Sequence, residues 1–209
     1  MPRNYTVQSK IDADFSSYDD AALNQQEFLR IHGTTAAQDI AKQALVVLPP
    51  SYRLVRLDSD DTHFEIALIC EADQSLVYYV RAVIWPDVML EGKPVTQTLV
   101  WRTNDVAHKR VTSGVTEDVF FNYLVEQYNI VASDANHTTE GKNFWIRQLG
   151  MAMFRGLFVY RYDLLESSLT RVLDHAVVRN NSIDLWGDAP KYEYILAVIA
   201  KSELPLSRQ

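Results

Sequence analysis

The sequence predicts an α/β fold with a mixed, mostly antiparallel sheet flanked by helices. Its 209 residues, 47% of them hydrophobic, suit one domain with a sizeable core. Between residues 53 and 102, short β-prone segments are separated by turns, which predicts an antiparallel meander. Residues 129–162 then follow the order strand, helix, strand, which predicts a βαβ unit whose two strands are parallel neighbours.

The first elements are expected to be helical. Residues 1–18 mix polar and isolated apolar residues without a period, which indicates a loose N-terminal arm ahead of one domain over 19–209. The acidic pair at 19–20 suits the start of a helix. A second helix is expected from the threonine pair at 34–35 to the proline pair at 49–50, which cannot continue it.

Four strands are expected next, because Val, Ile, Tyr and Phe are frequent there and partly alternate with polar residues. The connecting segments are polar or contain Gly and Pro, as β-turns do. The strands are expected at 53–57, 63–70, 76–84 and 95–102.

The second half is expected to alternate helix and strand. Thr116 is placed to cap a helix, because acidic residues and an apolar helical stripe follow it. A helix over 142–155 presents Trp145 and Leu149 to the sheet, and Gly156 suits its end. The other expected elements are strands at 129–133, 157–162 and 192–200 and a helix from about 164 to 178.

Composition and charge narrow the classes of partner. The chain has 20 Lys and Arg against 27 Asp and Glu, which gives a formal net charge of −7. Nucleic acid and anionic membranes are both negatively charged, so a net acidic chain is a poor general binder of either. No apolar run approaches the ~18 residues of a membrane span, and residues 1–18 hold no apolar signal segment. We therefore expect a cytoplasmic protein.

Residue types and their spacing predict that the chain has no metal site. Cys70 is the single cysteine, which excludes an intramolecular disulfide and any cysteine-based zinc site. We expect it to be a small buried residue on a strand. The histidines show no metal-ligand spacing, and phosphate-loop, dinucleotide-binding, metalloprotease and serine-hydrolase motifs do not occur.

One region is chemically distinctive. Gly141 is expected at a helix start after a strand, where unpaired N–H groups suit a phosphate. Residues 141–162 contain no acid but four cations, which are Lys142, Arg147, Arg155 and Arg161. This pattern predicts an anion site at the Gly141 turn; the alternative is a glycine-containing turn beside a cationic solvent-facing surface.

Several short motifs resemble phage-encoded members of the GNAT acyltransferase superfamily. Residues 133–149, with a Ser-Asp pair, a glycine and then Trp and Leu on a helix, resemble a strand, loop and helix of that superfamily. Residues 95–102 and 119–124 resemble the strand before its Gly-containing turn and the helix after it, and 184–200 resemble its C-terminal end. The resemblance covers about residues 60–201.

The resemblance implies acyl transfer from acetyl-CoA or another acyl-CoA to an amine. In that superfamily the cofactor lies in a splay between two parallel strands, and its pyrophosphate contacts backbone amides at the start of the following helix. Here this implies a pantetheine arm along the strand from residue 130 and a pyrophosphate at the next helix. The implied cofactor contacts are Ile130, Val131, Ser133, Thr139, Glu140, Gly141, Lys142 and Asn143.

Three side chains are candidates for the chemistry. Asp134 is the first candidate for the base that deprotonates the acceptor ammonium, and His137 is the second. Tyr162 is the candidate acid for the leaving thiolate. The structural alternatives are a turn cap for Asp134, a loop tip for His137 and a packed strand aromatic for Tyr162.

A non-catalytic role is the alternative from another class. The same scaffold could serve as a virion component or as a binder that blocks a host factor, since a fold does not fix a function. The 11 Tyr and four Trp residues supply side chains that anchor protein contacts. If the chain is an enzyme, its expected partners are an acyl donor and an amine acceptor; if it is not, the expected partner is a protein. Both alternatives place it in the host cytoplasm, and both are compatible with a homo-oligomer.

Overall fold

A computed structural model of the chain describes residues 15–85, 90, 92–132, 139–179, 185 and 194–205. The described residues form a mixed α/β fold with nine strands. The strands are β1 (Gln38–Asp39), β2 (Tyr52–Asp60), β3 (His63–Cys70), β4 (Ser75–Ile84), β5 (Val95–Arg102), β6 (Asn129–Ala132), β7 (Phe158–Asp163), β8 (Ser168–Arg171) and β9 (Ile195–Ala200). They follow the order β1-β2-β3-β4-β5-β6-β9-β7-β8 in an open, mostly antiparallel sheet.

Most helical residues lie in five α-helices, supplemented by a 3₁₀ turn and a π-helical segment. The α-helices are α1 (Ala21–His32), α2 (Lys109–Asp118), α3 (Val125–Gln127), α4 (Thr139–Phe154) and α5 (His175–Arg179). The 3₁₀ turn Val106–His108 precedes α2, and the π-helical segment Val119–Leu124 joins α2 to α3. None of the helices in the described part of the chain combines the length and hydropathy that crossing a membrane requires.

The chain divides into two compact units, with the boundary inside β5. Among the described residues, the meander unit comprises 15–85 and 98–124, and the C-terminal unit comprises 90, 92–97 and 125–205.

The meander unit follows the predicted antiparallel pattern. β2 pairs with β1 and β3, and β3 pairs with β4. Helix α1 starts as the acidic pair predicts, because the Asp20 carboxylate accepts hydrogen bonds from the N–H groups of Ala22 and Leu23, both at 2.9 Å. Phe28 and Ile31 of α1 join a buried core with side chains of β2, β3 and β4. Residues 15–19, which include the end of the predicted loose arm, are helical.

The second predicted helix, from 34–35 towards Pro49, is wrong. Residues 38–39 form β1 instead, and the Ile40 N–H donates to the Leu54 carbonyl at 2.9 Å. The Asp39 carboxylate then accepts from the Ala41 N–H at 2.9 Å, which turns the chain. Pairing with β2 and this turn satisfy backbone groups that a helix would have used.

The helical stretch after β5 begins earlier than the sequence predicts. The Asp105 carboxylate accepts from the Ala107 N–H at 2.8 Å, which starts the 3₁₀ turn ahead of α2. Thr116, the predicted cap, lies inside α2. The predicted apolar stripe is buried, although Val119–Leu124 adopt π-helical geometry.

In the C-terminal unit, the predicted pairing of the strands at 129–133 and 157–162 is wrong. β6 pairs with β9 antiparallel, and β9 pairs with β7 antiparallel, so β9 lies between the two strands. β6 and β7 therefore run in the same direction, as predicted, but are not neighbours. All six residues of β9 are buried, as its apolar sequence predicts for a central strand.

Helix α4 packs largely as its predicted apolar face suggests, because Trp145, Leu149 and Ala152 are buried, whereas Met153, also predicted on that face, is only half-buried. It ends as predicted at Gly156, whose φ is 75°. The Leu157 N–H donates to the Ala152 carbonyl at 2.9 Å, which closes the last turn.

The helix predicted over about 164–178 is wrong in its first part. The Asp163 carboxylate accepts from the N–H groups of Leu165 and Glu166, and Ser167 has a φ of 49°. This tight turn returns the chain as β8, which pairs antiparallel with β7. Only the short helix α5 forms within the predicted range.

Candidate functional site

The structure describes the implied acyl-CoA site in part. Ser133, Asp134 and His137 lie outside the described residues. The backbone of 139–142 forms the first turn of α4, and Asn143 on that helix is exposed. The helix therefore begins two residues before Gly141.

The strand expected to line the pantetheine arm is paired on both edges. Ile130 pairs with Thr96 of β5 and with Ile199 of β9, and Val131 pairs with Gln97 and Val198 in the same way. Both residues are fully buried. The gap implied between 129–133 and 157–162 is filled by β9, so an acyl-CoA molecule has no room there. The parallel neighbour of β6 is β5.

Tyr162 and its neighbour Tyr160 are both buried on β7. Tyr162 is 8% exposed and pairs with Leu196 of β9 and Leu169 of β8. The Tyr160 hydroxyl accepts a hydrogen bond from the Leu204 N–H at 2.8 Å, and burial raises its pKa. Tyr160 therefore ties the segment after β9 to β7.

The four cations of the region 141–162 are spread along α4 and β7. Lys142 lies in the first turn of α4 and Arg155 just beyond its end, and a rise of about 1.5 Å per residue puts their Cα atoms about 20 Å apart. Arg161 lies 3.5 Å from the Asp163 carboxylate. These cations cannot all serve one anion at Gly141.

A different set of chemically active side chains meets in the meander unit. Cys70 is the last residue of β3, and Tyr52, the first residue of β2, is its cross-strand partner. Asp73 lies in the turn between β3 and β4. His108 ends the 3₁₀ turn that follows β5. The pairing register of β2 with β3 and the position of the 3₁₀ turn therefore bring four polar side chains together. We call them the Cys70 cluster: Tyr52, Cys70, Asp73 and His108.

The Cys70 cluster is connected by short contacts. The Cys70 thiol donates to Asp73 Oδ2 at 3.2 Å, and the Tyr52 hydroxyl lies 3.0 Å from His108 Nδ1. His108 Nε2 is 3.8 Å from Asp73 Oδ2. One ligand atom from each of Cys70, Asp73 and His108 lies within 4.8 Å of the other two. These are atoms that commonly bind metal ions.

Burial differs sharply within the cluster. Cys70 is 1% exposed and His108 is 5% exposed, whereas the Asp73 side chain is 59% exposed. Burial is the main cause that raises the pKa of Tyr52, and the neighbouring Cys70 and Asp73 raise it further. The Tyr52 hydroxyl is therefore neutral at pH 7 and can both donate and accept a hydrogen bond.

Sequence reasoning did not assemble this cluster. Cys70 is a buried strand residue, as predicted. Its partners come from the opposite strand, the adjacent turn and a helix start beyond β5, so no fixed spacing connects them. The usable signal was the expected hairpin, whose tight turn over residues 72–75 sets Asp73 close to Cys70.

No protein-family model, no curated protein and no solved structure matches this chain.

Proposed function

We propose that the chain is a GNAT-like N-acyltransferase that transfers an acyl group from acyl-CoA to an amine, as its resemblance to phage-encoded members of that superfamily implies. The observation that carries this proposal is the parallel pairing of β5 with β6, since that superfamily holds acyl-CoA between two parallel strands. The helical segments between 106 and 127 connect the two strands, which makes a strand–helix–strand unit.

The proposal places the pantetheine arm beside Ala132. The parallel ladder ends at the pair Gln97 and Val131, whereas Ala132 still pairs with Ala197 of β9. The described pairs of β5 with β6 stop one residue before Ala132, which is itself buried. In the proposal, the backbone of Ala132 pairs on its β5 side with the amides of a pantetheine arm, as a sheet edge pairs with an added peptide.

The pyrophosphate would lie at the start of α4, which follows β6 in the chain. The first four N–H groups of a helix lack partners within it, and the dipole there favours an anion. The proposed contacts are the backbone of Thr139, Glu140, Gly141 and Lys142 and the exposed Asn143.

The proposed reaction forms an amide and releases CoA as a thiol. A base takes a proton from the acceptor ammonium, the free amine attacks the thioester carbonyl, and the C–S bond breaks as the tetrahedral intermediate collapses. Asp134, and after it His137, is the proposed base. Tyr162 lies on β7, two strand spacings or about 10 Å from β6, so passing its proton to the thiolate requires a chain of several water molecules.

Calorimetric titration of tag-free protein with acetyl-CoA tests the proposal without an acceptor. Asn143→Asp brings a negative charge to the proposed pyrophosphate site, and we expect it to weaken acetyl-CoA about tenfold or more at low salt. The side chain is exposed and the change is isosteric, so the fold is preserved. Gln43→Glu, which adds the same charge at an exposed turn residue of the meander unit, should leave the affinity unchanged.

Ligand fragments separate the two halves of the site. Acetyl-pantetheine should bind more weakly than acetyl-CoA, and should bind equally to the wild type and to Asn143→Asp. No heat with acetyl-CoA, CoA or acetyl-pantetheine at high micromolar protein would refute the proposal and leave a non-catalytic phage protein as the better account. If Asn143→Asp and the wild type bound acetyl-CoA with equal affinity, the proposed position of the pyrophosphate at the start of α4 would be wrong.

A further inference from the structure

We propose that Cys70, Asp73 and His108 form a binding site for one zinc-type divalent cation, and that Tyr52 is the positioning residue that orients His108. This site is separate from the proposed acyl-CoA site, because all four residues belong to the meander unit. It supplies one sulfur, one nitrogen and one oxygen ligand, which is a donor set that suits Zn²⁺.

The ligand atoms are already close to the spacing that zinc requires. Donor atoms around a tetrahedral Zn²⁺ lie about 3.3–3.6 Å apart, from bond lengths of about 2.0–2.3 Å. In the structure, Cys70 Sγ and His108 Nε2 lie 3.2 Å and 3.8 Å from Asp73 Oδ2. All three ligand atoms lie within 4.8 Å of one another. Small side-chain rotations therefore suffice to close the site around a cation.

Tyr52 lies beside the nitrogen of His108 that does not face the cation. Its hydroxyl is 3.0 Å from Nδ1, and in the tautomer with the proton on Nδ1 this N–H donates to the hydroxyl oxygen and leaves the lone pair of Nε2 free for the cation. Metal-binding histidines are commonly oriented in this way through their second nitrogen.

Charge and exposure also fit a divalent cation. On binding, the Cys70 thiol loses its proton to solvent and a sulfur–zinc bond forms, so that thiolate and carboxylate together balance the two charges of Zn²⁺. Asp73 is on the solvent side and the other two ligands are buried, so the cation enters past Asp73. Three protein ligands leave the fourth tetrahedral position for water.

Bound zinc would connect two segments that are distant in the sequence. It joins the turn between β3 and β4, through Asp73, to the 3₁₀ turn that leads into α2, through His108. Since the cation binds this assembled arrangement and not the unfolded chain, it should raise the melting temperature, and the added free energy of unfolding should grow with the logarithm of 1 + [Zn²⁺]/Kd.

Cobalt(II) is the direct spectroscopic probe, because a thiolate–cobalt bond gives a charge-transfer band in the near ultraviolet. Full-length, tag-free protein, freed of metal with a chelator, should show this band with saturation at one Co²⁺ per chain, and Zn²⁺ should abolish it. Calorimetry in two buffers of different ionisation enthalpy should show about one proton released per Zn²⁺ at pH 7.

Four variants assign the ligands. Cys70→Ser should lose the charge-transfer band. Asp73→Asn, which changes an exposed turn residue, should lower the affinity for Zn²⁺ at least about tenfold. Tyr52→Phe should keep the band but weaken Zn²⁺ about 10–100-fold, as loss of a positioning residue does. Asp61→Asn, at an exposed residue in the turn between β2 and β3, is the matched control and should bind as the wild type does.

The absence of a charge-transfer band in wild-type protein would overturn the proposal. So would a Zn²⁺ affinity of Asp73→Asn equal to that of Asp61→Asn, and this comparison remains decisive if Cys70→Ser fails to fold. Neither readout involves acyl-CoA, so failure here and failure of the acyltransferase proposal are distinguishable.

Discussion

Asn24 is a buried amide whose replacement gives a quantitative test of the meander unit. It is 9% exposed on α1. Its side chain accepts from the Leu76 N–H at 2.8 Å and donates to the Leu76 carbonyl at 3.0 Å. It also donates to the Tyr18 carbonyl at 2.9 Å. One side chain thus ties α1 to the backbone of β4.

We expect Asn24→Ala to lower the free energy of unfolding by about 2–6 kcal/mol. The substitution leaves the buried N–H and carbonyl of Leu76 without their side-chain partners, and each such group costs about 1–3 kcal/mol. The carbonyl of Tyr18 is only partly buried, so water can replace that bond. Urea unfolding followed by tryptophan fluorescence measures the loss. Gln26→Ala, at an exposed position of the same helix, should change stability by less than about 0.5 kcal/mol.

Asn24→Asp adds a pH dependence whose sign is fixed by the same contacts. A carboxylate at this position faces the carbonyl oxygens of Leu76 and Tyr18, and this repulsion and burial raise its pKa in the folded state. The folded variant then binds more protons than the unfolded chain, so its stability falls as pH rises through the folded pKa. A folded pKa two units above the usual ~3.9 corresponds to about 2.7 kcal/mol. The variant should therefore recover stability, relative to wild type, between pH 7 and pH 4.5.

Two results would refute this reasoning. One is an Asn24→Ala variant no less stable than Gln26→Ala, which would mean that water satisfies the backbone of Leu76. The other is an Asn24→Asp variant that loses stability relative to wild type as the pH is lowered.

Three further changes test local features of the chain. Tyr160→Phe removes the acceptor of the buried Leu204 N–H and should cost about 1–3 kcal/mol in urea unfolding. Gly156→Ala should cost about 1–2 kcal/mol in the same assay, because φ is 75° there and an added Cβ would touch nothing within 4 Å, so that backbone strain alone acts. Hydrogen bonds from the Thr62 hydroxyl and N–H lower the pKa of Asp60, so its contribution to stability is lost as pH falls through that lowered pKa. Asp60→Asn should therefore flatten the acid limb of stability against pH.

The sequence was sufficient where one local signal determined an element. Alternation and turn residues located β2 to β5, and the Asp20 cap and the glycine at 156 located one end each of α1 and α4. Prediction from the sequence failed where the carboxylate of an aspartate formed a turn inside a segment that was expected to be helical. Asp39 and Asp163 each begin a turn inside a range that helical periodicity favoured, and strand pairing then took the backbone hydrogen bonds.

The strand order was beyond local signals. Residues 129–162 have the composition of a βαβ unit with adjacent strands, and β6 and β7 do run in the same direction. β9 lies between them. It is the most apolar of the late strands, and a strand can bury both of its faces only in the interior of a sheet. The rule that strands consecutive in the sequence are neighbours in the sheet does not predict this position for β9, which begins more than thirty residues after the end of β7.

The candidate metal site was missed for a related reason. Counting cysteines and searching for ligand spacing detects sites whose ligands share one loop or one helix. In the Cys70 cluster, Tyr52 faces Cys70 through hairpin register, and only the start of the helix after β5 brings His108 to them. A single cysteine can therefore be a metal ligand whenever the fold places a carboxylate and an oriented imidazole beside it. Comparing the Zn²⁺ affinity of Asp73→Asn with that of Asp61→Asn decides whether Cys70, Asp73 and His108 bind a metal ion in this protein.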